Sequence, residues 1–574
     1  MKDKRMTIEA GFYMTAFAIG LLIRLYRLGS LPLGDTEASL ALQALSAANG
    51  NLPALGSLTS YFGITKLLFY ILEATPFLAR LWPALVGSLL ILVPWLFREL
   101  LGKLPAIILS FGFALDSLLI ASSRQVNGEI LAITFLLAAI GFFYNHAYAW
   151  SGISLALAFM SGPAFLQGLV IILLVYLADK FLVAGDPLQV TPSVDRSGPE
   201  EPQKRRLIYW ALGTFLFFGT LFFTNPQTTG STFLSLPEYL KGWTVATGVN
   251  AGLLLISLVS YEVFPFVFGL IQIVRHSRNS DRFQKILIFG TFFALLLWIV
   301  YPGRQILGLV WIVVPLWALA SRGLFSLFSA KEADTRIISA LLAVLILVLL
   351  IFAAISLSSL TNETPTNITS GLSIEQVKWI RVVGALVVSG LLVTLVAWGW
   401  SIKSAMKGLY AGLAVFMFVL MLSSSWNAAG LGRHPEAELY RVDGNILEAD
   451  LFLKTIEDHL EWNVNSQPEL EVVVVDVPLP SVQWMLRGQS NVWYSSFLPV
   501  DSNPGIVVTR DQETLAQTSS YSGQNFIWRQ QTNWSLILPR EWLRWLFFRE
   551  APNENEVLVV WVRSDLFPGA AVTE

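Results

Sequence analysis

The sequence predicts an α-helical membrane protein with about 13 spans, followed by a small C-terminal α/β domain. Of the 574 residues, 54% are hydrophobic and only 14% are charged. The mean hydropathy of the chain is +0.60. Soluble proteins average roughly 25% charged residues, so this composition indicates a multi-pass membrane protein with some soluble mass attached.

Composition also excludes several classes of function. A net charge of −2 gives no sign of nucleic-acid binding. The chain has no cysteine, and therefore no disulfide, no cysteine-based zinc site and no thiol nucleophile. Its four histidines are scattered, which argues against a histidine-rich zinc centre. Because neither a P-loop nor a dinucleotide-binding glycine motif occurs, an ATP-driven pump is not expected.

Apolar runs long enough to cross a bilayer follow one another through the first three quarters of the chain. The first has no small-residue cleavage site after it, so we expect a retained span rather than a signal peptide. The predicted spans are residues 10–26, 76–97, 104–122, 130–148, 150–160, 164–181, 207–223, 249–274, 286–301, 306–320, 337–357, 382–400 and 408–422.

Orientation follows from the basic residues, which favour the cytoplasmic side. Basic segments at 204–206, 275–285, 322–336 and 403–407 alternate with loops that are poor in lysine and arginine. With a cytoplasmic N-terminus, an odd number of spans places the tail from residue 426 outside the cytoplasm. We therefore expect residues 1–425 to form the transmembrane domain and residues 426–574 to form a soluble extracytoplasmic α/β domain.

The first outer loop is predicted to be long, covering residues 27–75. Within it, residues 61–72 are apolar but short. A bilayer crossing there would move every later loop to the opposite side of the membrane and so place the basic segments outside the cytoplasm. We expect this segment to lie along the membrane interface as an amphipathic helix. Loops of this length in a compact protein are usually functional or disordered.

The tail contains helical and strand patterns in alternation. Residues 446–462 have helical periodicity, and residues 471–475, 505–509 and 557–561 are apolar runs that suit buried strands. This combination predicts a small α/β domain. Residues 186–203, rich in proline and acidic residues, are interpreted as a flexible cytoplasmic linker.

Ionisable side chains converge on the outer side in this topology. Charges at membrane depth are costly, so such a cluster suggests a functional site. Carboxylates serve as general bases or metal ligands, and arginines bind phosphate bidentately. Snorkelling arginines paired with the acids are the structural alternative. The candidate catalytic residues are Asp35 and Glu37, and the candidate substrate- or phosphate-binding residues are Lys66, Arg80, Arg124, Glu129 and Arg304.

The arrangement resembles the GT-C superfamily of polyprenyl-phosphate-sugar-dependent glycosyltransferases, which includes protein mannosyltransferases and aminoarabinose transferases. The similar features are the acidic motif Asp35-Thr36-Glu37 after the first span and the entry to the second span, residues 77–87. A third is the turn at residues 123–129, with Glu129 in place of the family's aspartate. Residues 484–487 and 542–550 resemble, more faintly, the flippase-associated glycosylation proteins of archaea.

The resemblance implies transfer of a sugar from a polyprenyl phosphate to an extracytoplasmic acceptor, with a carboxylate as base and arginine or lysine stabilising the phosphate. The family's adjacent Asp-Glu pair is Asp35-Thr36-Glu37 here, so one acid is expected to cap the helix that follows. Asp35 is preferred narrowly as the base, and Arg304 as the phosphate ligand. A divalent metal, Mg²⁺ or Mn²⁺ on Asp35 and Glu37, remains open, because the family's enzymes differ in their need for one.

Tryptophans are frequent in the tail. They suit stacking on sugar rings, but Trp542 and Trp545 share a helical face beside Phe547 and Phe548, which favours docking on the bilayer. Two rival functions remain open: a non-catalytic scaffold in glycan export, and a flippase or transporter. Expected partners are the lipid-linked sugar, the acceptor and the bilayer, with no nucleic acid.

Overall fold

The computed structural model describes residues 8–51, 54–182, 201–247, 249–276, 281–328, 336–361, 374–463, 470–498, 502–511, 520–534 and 536–567. The first half contains helices α1 Ile8–Leu25, α2 Asp35–Ala48, α3 Thr59–Ile71, α4 Pro76–Leu89, α5 Val93–Leu96, α6 Arg98–Leu101, α7 Lys103–Leu115, α8 Ser117–Ser123, α9 Gly128–Tyr144, α10 Tyr148–Phe159, α11 Pro163–Leu182, α12 Glu201–Gly219, α13 Thr229–Phe233 and α14 Ser235–Lys241. The remaining helices are α15 Ala251–Tyr261, α16 Val263–His276, α17 Arg282–Val300, α18 Val310–Phe328, α19 Arg336–Ser358, α20 Ile374–Gly399, α21 Ile402–Trp426, α22 Ala449–Trp462, α23 Pro480–Met485 and α24 Pro539–Phe548.

The predicted many-span architecture is confirmed. In the described part of the chain, eight helices are long and apolar enough to cross a membrane, or up to ten if each of two bent pairs is one span. The shorter helices α9 and α10 are also apolar. A total of about 13 spans stays a prediction.

Helix α3 corresponds to the segment that was expected to lie along the interface. It has 13 residues, whereas a bilayer crossing needs about 20. It packs against α2, α4 and α12. The helix is therefore too short for a span and belongs to the connection between the first two spans.

Two predicted spans are broken at acidic residues, where the sequence suggested continuous helices. Helices α7 and α8 meet at Asp116 with a bend of 55°, and α15 and α16 meet at Glu262 with a bend of 92°. Carboxylates take the backbone N–H groups freed at the first break. The N–H of Leu119 donates to Asp116 Oδ1 over 2.8 Å, and that of Leu118 donates to Glu262 Oε1 over 3.1 Å. The two breaks thus face each other, and buried acids satisfy the interrupted backbone.

The C-terminal segment forms the predicted α/β domain around a six-stranded sheet. Its strands are β1 Asn445–Ile446, β2 Val472–Val475, β3 Val492–Ser495, β4 Ile506–Arg510, β5 Tyr521–Thr532 and β6 Asn553–Arg563. Their order in the sheet is β1-β5-β6-β4-β2-β3. Strands β2, β3 and β4 are parallel, and the other pairs are antiparallel. Phe452 of α22 and Trp528 of β5 are fully buried in the core beneath the sheet.

Trp545 shows that helix α24 packs on protein, where the sequence suggested that this tryptophan docks on the bilayer. Its side chain is only 1% exposed. The indole Nε1 donates to the carbonyl of Ala437 over 2.7 Å, and the ring lies 5.9 Å from that of Tyr261 at the end of α15. The prediction for Trp545 was wrong because the domain folds back onto the membrane helices and covers this face.

The orientation of the domain stays a prediction that labelling tests directly, because the chain has no cysteine of its own. In intact cells, a membrane-impermeant maleimide should label Ser502→Cys in the C-terminal domain. It should label Lys285→Cys, at the start of α17, only after permeabilisation. The reverse pattern would contradict the predicted topology.

Candidate active site

The acidic motif lies at the first turn of α2 and is held from three directions. Gly34 precedes the helix, and a Cβ at this position would lie 2.5 Å from Asp443. That close approach lets Asp443 cap the helix: the backbone N–H and the hydroxyl of Thr36 both donate to its carboxylate, each over 2.8 Å. A carboxylate at a helix N-terminus is favourable because it accepts unpaired N–H groups and faces the positive end of the helix dipole.

Glu37 is a buried structural anchor. Its carboxylate receives hydrogen bonds from Arg80 Nε over 2.9 Å and from Arg80 Nη2 over 2.5 Å. The N–H of Val126 adds a third at 3.0 Å, and that of Gly34 a fourth at 3.4 Å. Burial alone would raise the pKa of Glu37, but the charge and hydrogen bonds of Arg80 outweigh it and hold the pKa below its usual range. The last bond makes Glu37 the helix-capping acid that the sequence led us to expect.

Asp35 points away from Glu37, toward the C-terminal domain. Its Oδ1 accepts the N–H of Ser481 over 3.1 Å and the Ser481 hydroxyl over 2.5 Å. Its Oδ2 forms an ion pair of 2.7 Å with Arg529, whose other nitrogen binds Glu556 over 2.5 Å. The Asp35 side chain is 19% exposed, compared with 9% for Glu37. Asp35 is therefore the more accessible of the two acids.

A small cavity on the other side of the motif is lined by arginines. It has a volume of about 40 Å³, room for a few water molecules. This space suits a compact group of a few atoms such as a phosphate. Glu37, Glu438 and Asp443 contribute the acidic side chains, and the basic side chains in its wall are those of Arg27, Arg80, Arg124 and Arg441.

The arginines of this cavity differ in how many donors they have free. Arg124 donates to the carbonyls of Ile23, Arg24, Tyr26 and Ala429 over 2.8 to 3.0 Å, and so caps the end of α1. The side chain of Arg441 makes one hydrogen bond within the described chain, from Nε to the carbonyl of Gly444 over 2.8 Å. Its terminal nitrogens therefore remain available to an anion.

The electrostatics of the cavity also favour an anion. Burial, and after it repulsion from Arg80, lowers the pKa of Arg441 to about 10, although Glu37 and Asp443 act in the opposite direction. Like charges held this close repel one another, and a bound anion relieves that repulsion. The cavity thus has the size and the charge of a phosphate subsite.

Three of the predicted ligands do not reach this cavity. Lys66 donates to the hydroxyl of Thr224 over 2.7 Å, and Glu129 accepts from the indole of Trp311 over 3.1 Å. Arg304 donates to the carbonyls of Val249 and Ile299 over 2.8 and 2.9 Å, which closes the end of α17. Of the predicted site residues, Glu37, Arg80 and Arg124 line the cavity.

The acids do not form a shared metal site in this arrangement. Asp35 binds Ser481 and Arg529, whereas Glu37 binds Arg80, so the two carboxylates face different partners. In the described residues, no group of three or more histidine, aspartate or glutamate side chains is suitably placed to hold a metal ion.

Sequence reasoning missed the residues that the C-terminal domain contributes to this site. These are Arg441, which lines the cavity, and Asp443, Ser481 and Arg529, whose hydrogen bonds to Thr36 or Asp35 span more than 400 residues of chain. One indication was available: residues 440–444, a charged turn with glycine, come soon after the last predicted span.

Comparisons with known proteins agree with the predicted fold. No protein-family model and no curated protein sequence matches the chain. Among solved structures, ArnT from Cupriavidus metallidurans bound to undecaprenyl phosphate is similar at 12% identity and a TM-score of 0.55, over 96% of this chain and 98% of that one. Its apo state matches over the same shares with a TM-score of 0.54.

The apo form of the Archaeoglobus fulgidus oligosaccharyltransferase is more distant. It has 14% identity and a TM-score of 0.42, over 86% of this chain and 65% of that one, and this score is too low to support an argument. The similarity to ArnT over nearly the full length of both chains shows a shared fold, and the predicted fold class, a many-span helical protein with a C-terminal α/β domain, is confirmed.

Proposed function

We propose that this chain is a membrane glycosyltransferase that moves a sugar from a polyprenyl-phosphate donor to an extracytoplasmic acceptor hydroxyl. The observation that carries the proposal is the position of the acidic motif, between an arginine-lined cavity of phosphate size and the polar surface of the C-terminal domain. The fold supports it as well, because the similar ArnT structure holds undecaprenyl phosphate.

The proposed reaction assigns separate tasks to the two sides of the motif. The bond between C1 of the sugar and the phosphate oxygen breaks, and its electron pair stays on the phosphate. The acceptor oxygen forms a new bond to C1, and its proton passes to the carboxylate of Asp35, as in general base catalysis. The guanidinium of Arg441, with Arg80 and Arg124 beside it, stabilises the charge on the leaving phosphate.

An apolar cavity among the membrane helices offers a place for the lipid chain. Its volume is about 290 Å³ and its walls come from α5, α7, α9, α11, α17 and α18. Leu109, Ile133, Ile171 and Leu287 are among the side chains that line it. We place the isoprenoid chain of the donor there, because an apolar wall within the membrane region suits a hydrocarbon chain.

Arg441 is expected to bind the donor phosphate. Arg441→Ala should weaken the binding of undecaprenyl phosphate to the purified protein about tenfold or more, since hydrogen bonds to charged groups contribute roughly 1.5 to 3 kcal/mol. Arg441→Lys should recover only part of the affinity because it loses the planar fork. Microscale thermophoresis in detergent measures the dissociation constant.

Arg544→Ala is the matched control for this experiment. Arg544 forms a surface ion pair with Glu550, and its side chain is 58% exposed. Its removal should leave lipid binding unchanged. Wild-type affinity in a folded Arg441→Ala variant would exclude the arginine-lined cavity as the phosphate site.

A non-catalytic scaffold is the alternative function. The observation that favours it is the occupation of both Asp35 oxygens by Ser481 and Arg529. A scaffold would bind the lipid phosphate without consuming the sugar donor, so donor turnover separates the two functions.

A further inference from the structure

A polar cleft opens in the C-terminal domain beside the acidic motif. Its volume is about 500 Å³, within the range of roughly 300 to 1,000 Å³ that is common for small-molecule sites. Asp476 follows the carboxyl end of β2, and Arg510 and Asp511 lie at the carboxyl end of β4. The crevice outside the carboxyl ends of parallel strands is where open α/β sheets bind their ligands.

The walls of the cleft suit a ligand rich in hydroxyl groups. They carry four carboxylates, two guanidinium groups and the amides of Gln531 and Asn555. Carboxylates accept hydrogen bonds, guanidinium groups donate them, and amides do both, so together they match the donor and acceptor capacity of sugar hydroxyls. Carboxylates outnumber guanidinium groups, which disfavours an acidic or phosphorylated ligand.

Two of the carboxylates have no partner among the described residues. The side chains of Asp476 and Asp511 make no hydrogen bond or ion pair within the described parts of the chain, whereas Arg510 and Arg529 both contact Glu556. Asp476 also has a left-handed backbone with φ of +46°. Such backbone conformations are sparsely populated and concentrate at functional sites, and aspartate tolerates them better than most residues.

Arg529 connects this cleft to the acidic motif. One of its nitrogens binds Glu556 in the wall of the cleft, and the other binds Asp35. The guanidinium group of Arg529 therefore lies between the cleft and the carboxylate of Asp35, the proposed catalytic base. A hydroxyl at the near end of a ligand in the cleft would contact Arg529, which holds Asp35 on its other side.

We propose that this cleft binds the acceptor, and that the acceptor is a neutral, hydroxyl-rich glycan; this inference rests on the proposed glycosyltransferase function. Asp476 and Asp511 accept hydrogen bonds from its hydroxyl groups, and Gln531 both donates and accepts. Arg529 marks the end of the cleft where the reacting hydroxyl meets the base.

The test uses the full-length protein in lipid nanodiscs on an array of neutral, amino-bearing and acidic glycans. Wild-type protein should bind neutral glycans. Asp476→Asn and Asp511→Asn should each weaken that binding about tenfold or more, because each removes a charged hydrogen-bond acceptor. Asparagine tolerates the left-handed backbone at position 476, so this variant is expected to fold.

The control is Asp565→Asn, the same substitution in a surface pair with Arg563, which should leave glycan binding unchanged. Binding to acidic glycans alone, to no glycan, or with equal affinity in all variants would overturn the inference. Undecaprenyl phosphate binding, measured on the same samples, separates the two proposals: if lipid binding persists while glycan binding is absent, the acceptor cleft alone is excluded.

Discussion

Replacing Asp35 by asparagine should lower sugar transfer by on the order of 10²-fold or more, because the substitution keeps the size of the side chain but removes the general base. The asparagine oxygen still accepts from Ser481, so the contact between the first loop and the C-terminal domain should survive in part. The measurement is turnover of a radiolabelled polyprenyl-phosphate hexose by purified protein in detergent, compared at saturating donor.

Asp565→Asn is again the matched control, since it also removes a carboxylate from an Arg–Asp pair on the C-terminal domain. It should keep wild-type turnover. The thermal midpoint of Asp35→Asn should stay within a few degrees of the wild type, which separates lost chemistry from lost folding. Wild-type turnover in Asp35→Asn would rule out Asp35 as the base.

Replacing Glu37 by glutamine should lower the stability of the protein more than it lowers the rate of sugar transfer. The change leaves Arg80, only 4% exposed, without its buried counter-charge. Removing one partner of a buried ion pair typically costs about 3 to 5 kcal/mol. A thermal or urea unfolding series in detergent should therefore show a clear loss of stability in Glu37→Gln.

The double variant Glu37→Gln with Arg80→Gln tests the reason for that loss. Removing both charges should recover part of the stability, because no unpaired charge remains. A double variant that is less stable by the sum of the two single effects would contradict the ion-pair explanation.

The pH dependence of the stability that this ion pair contributes follows from the direction in which the pKa of Glu37 is shifted. The pKa of Glu37 lies below its usual range in the folded protein. The ionised form is therefore favoured by folding, and its contribution to stability is complete above the unfolded-state pKa. That contribution is lost as the pH falls through the lower, folded-state pKa. Glu37→Gln should accordingly flatten the acid side of the stability profile.

Local patterns were sufficient to predict the helical membrane architecture and part of the C-terminal sheet. Long apolar runs predicted the spans, and continuous apolar runs predicted β2, β4 and the centre of β6. Strand β5 was missed because its exposed part is polar: residues 522–525 are all solvent-exposed. The breaks at Asp116 and Glu262 were missed because each acid stands alone in an apolar run, and its partner lies on another helix.

Only the residues that the N-terminal part of the chain contributes to the site could be predicted from the sequence. The acidic motif and its capping role were visible in the sequence, because both depend on neighbours three residues apart. The partners of Asp35 and Thr36 were not visible, because Ser481, Arg529 and Asp443 are brought there by the folding of the C-terminal domain. Arg304 was chosen by its place in an outer turn, but its donors are used by nearby carbonyls.

Donor consumption by the wild-type protein tests the central claim most directly. Purified protein in detergent is mixed with a radiolabelled polyprenyl-phosphate hexose and a neutral glycan acceptor, and released polyprenyl phosphate and labelled glycan are measured together. We expect both products to appear in equal amounts, and both to fall by on the order of 10²-fold or more in Asp35→Asn. If a panel of such donors is bound through the arginine-lined cavity but none is consumed, the chain is a scaffold and the glycosyltransferase account is contradicted.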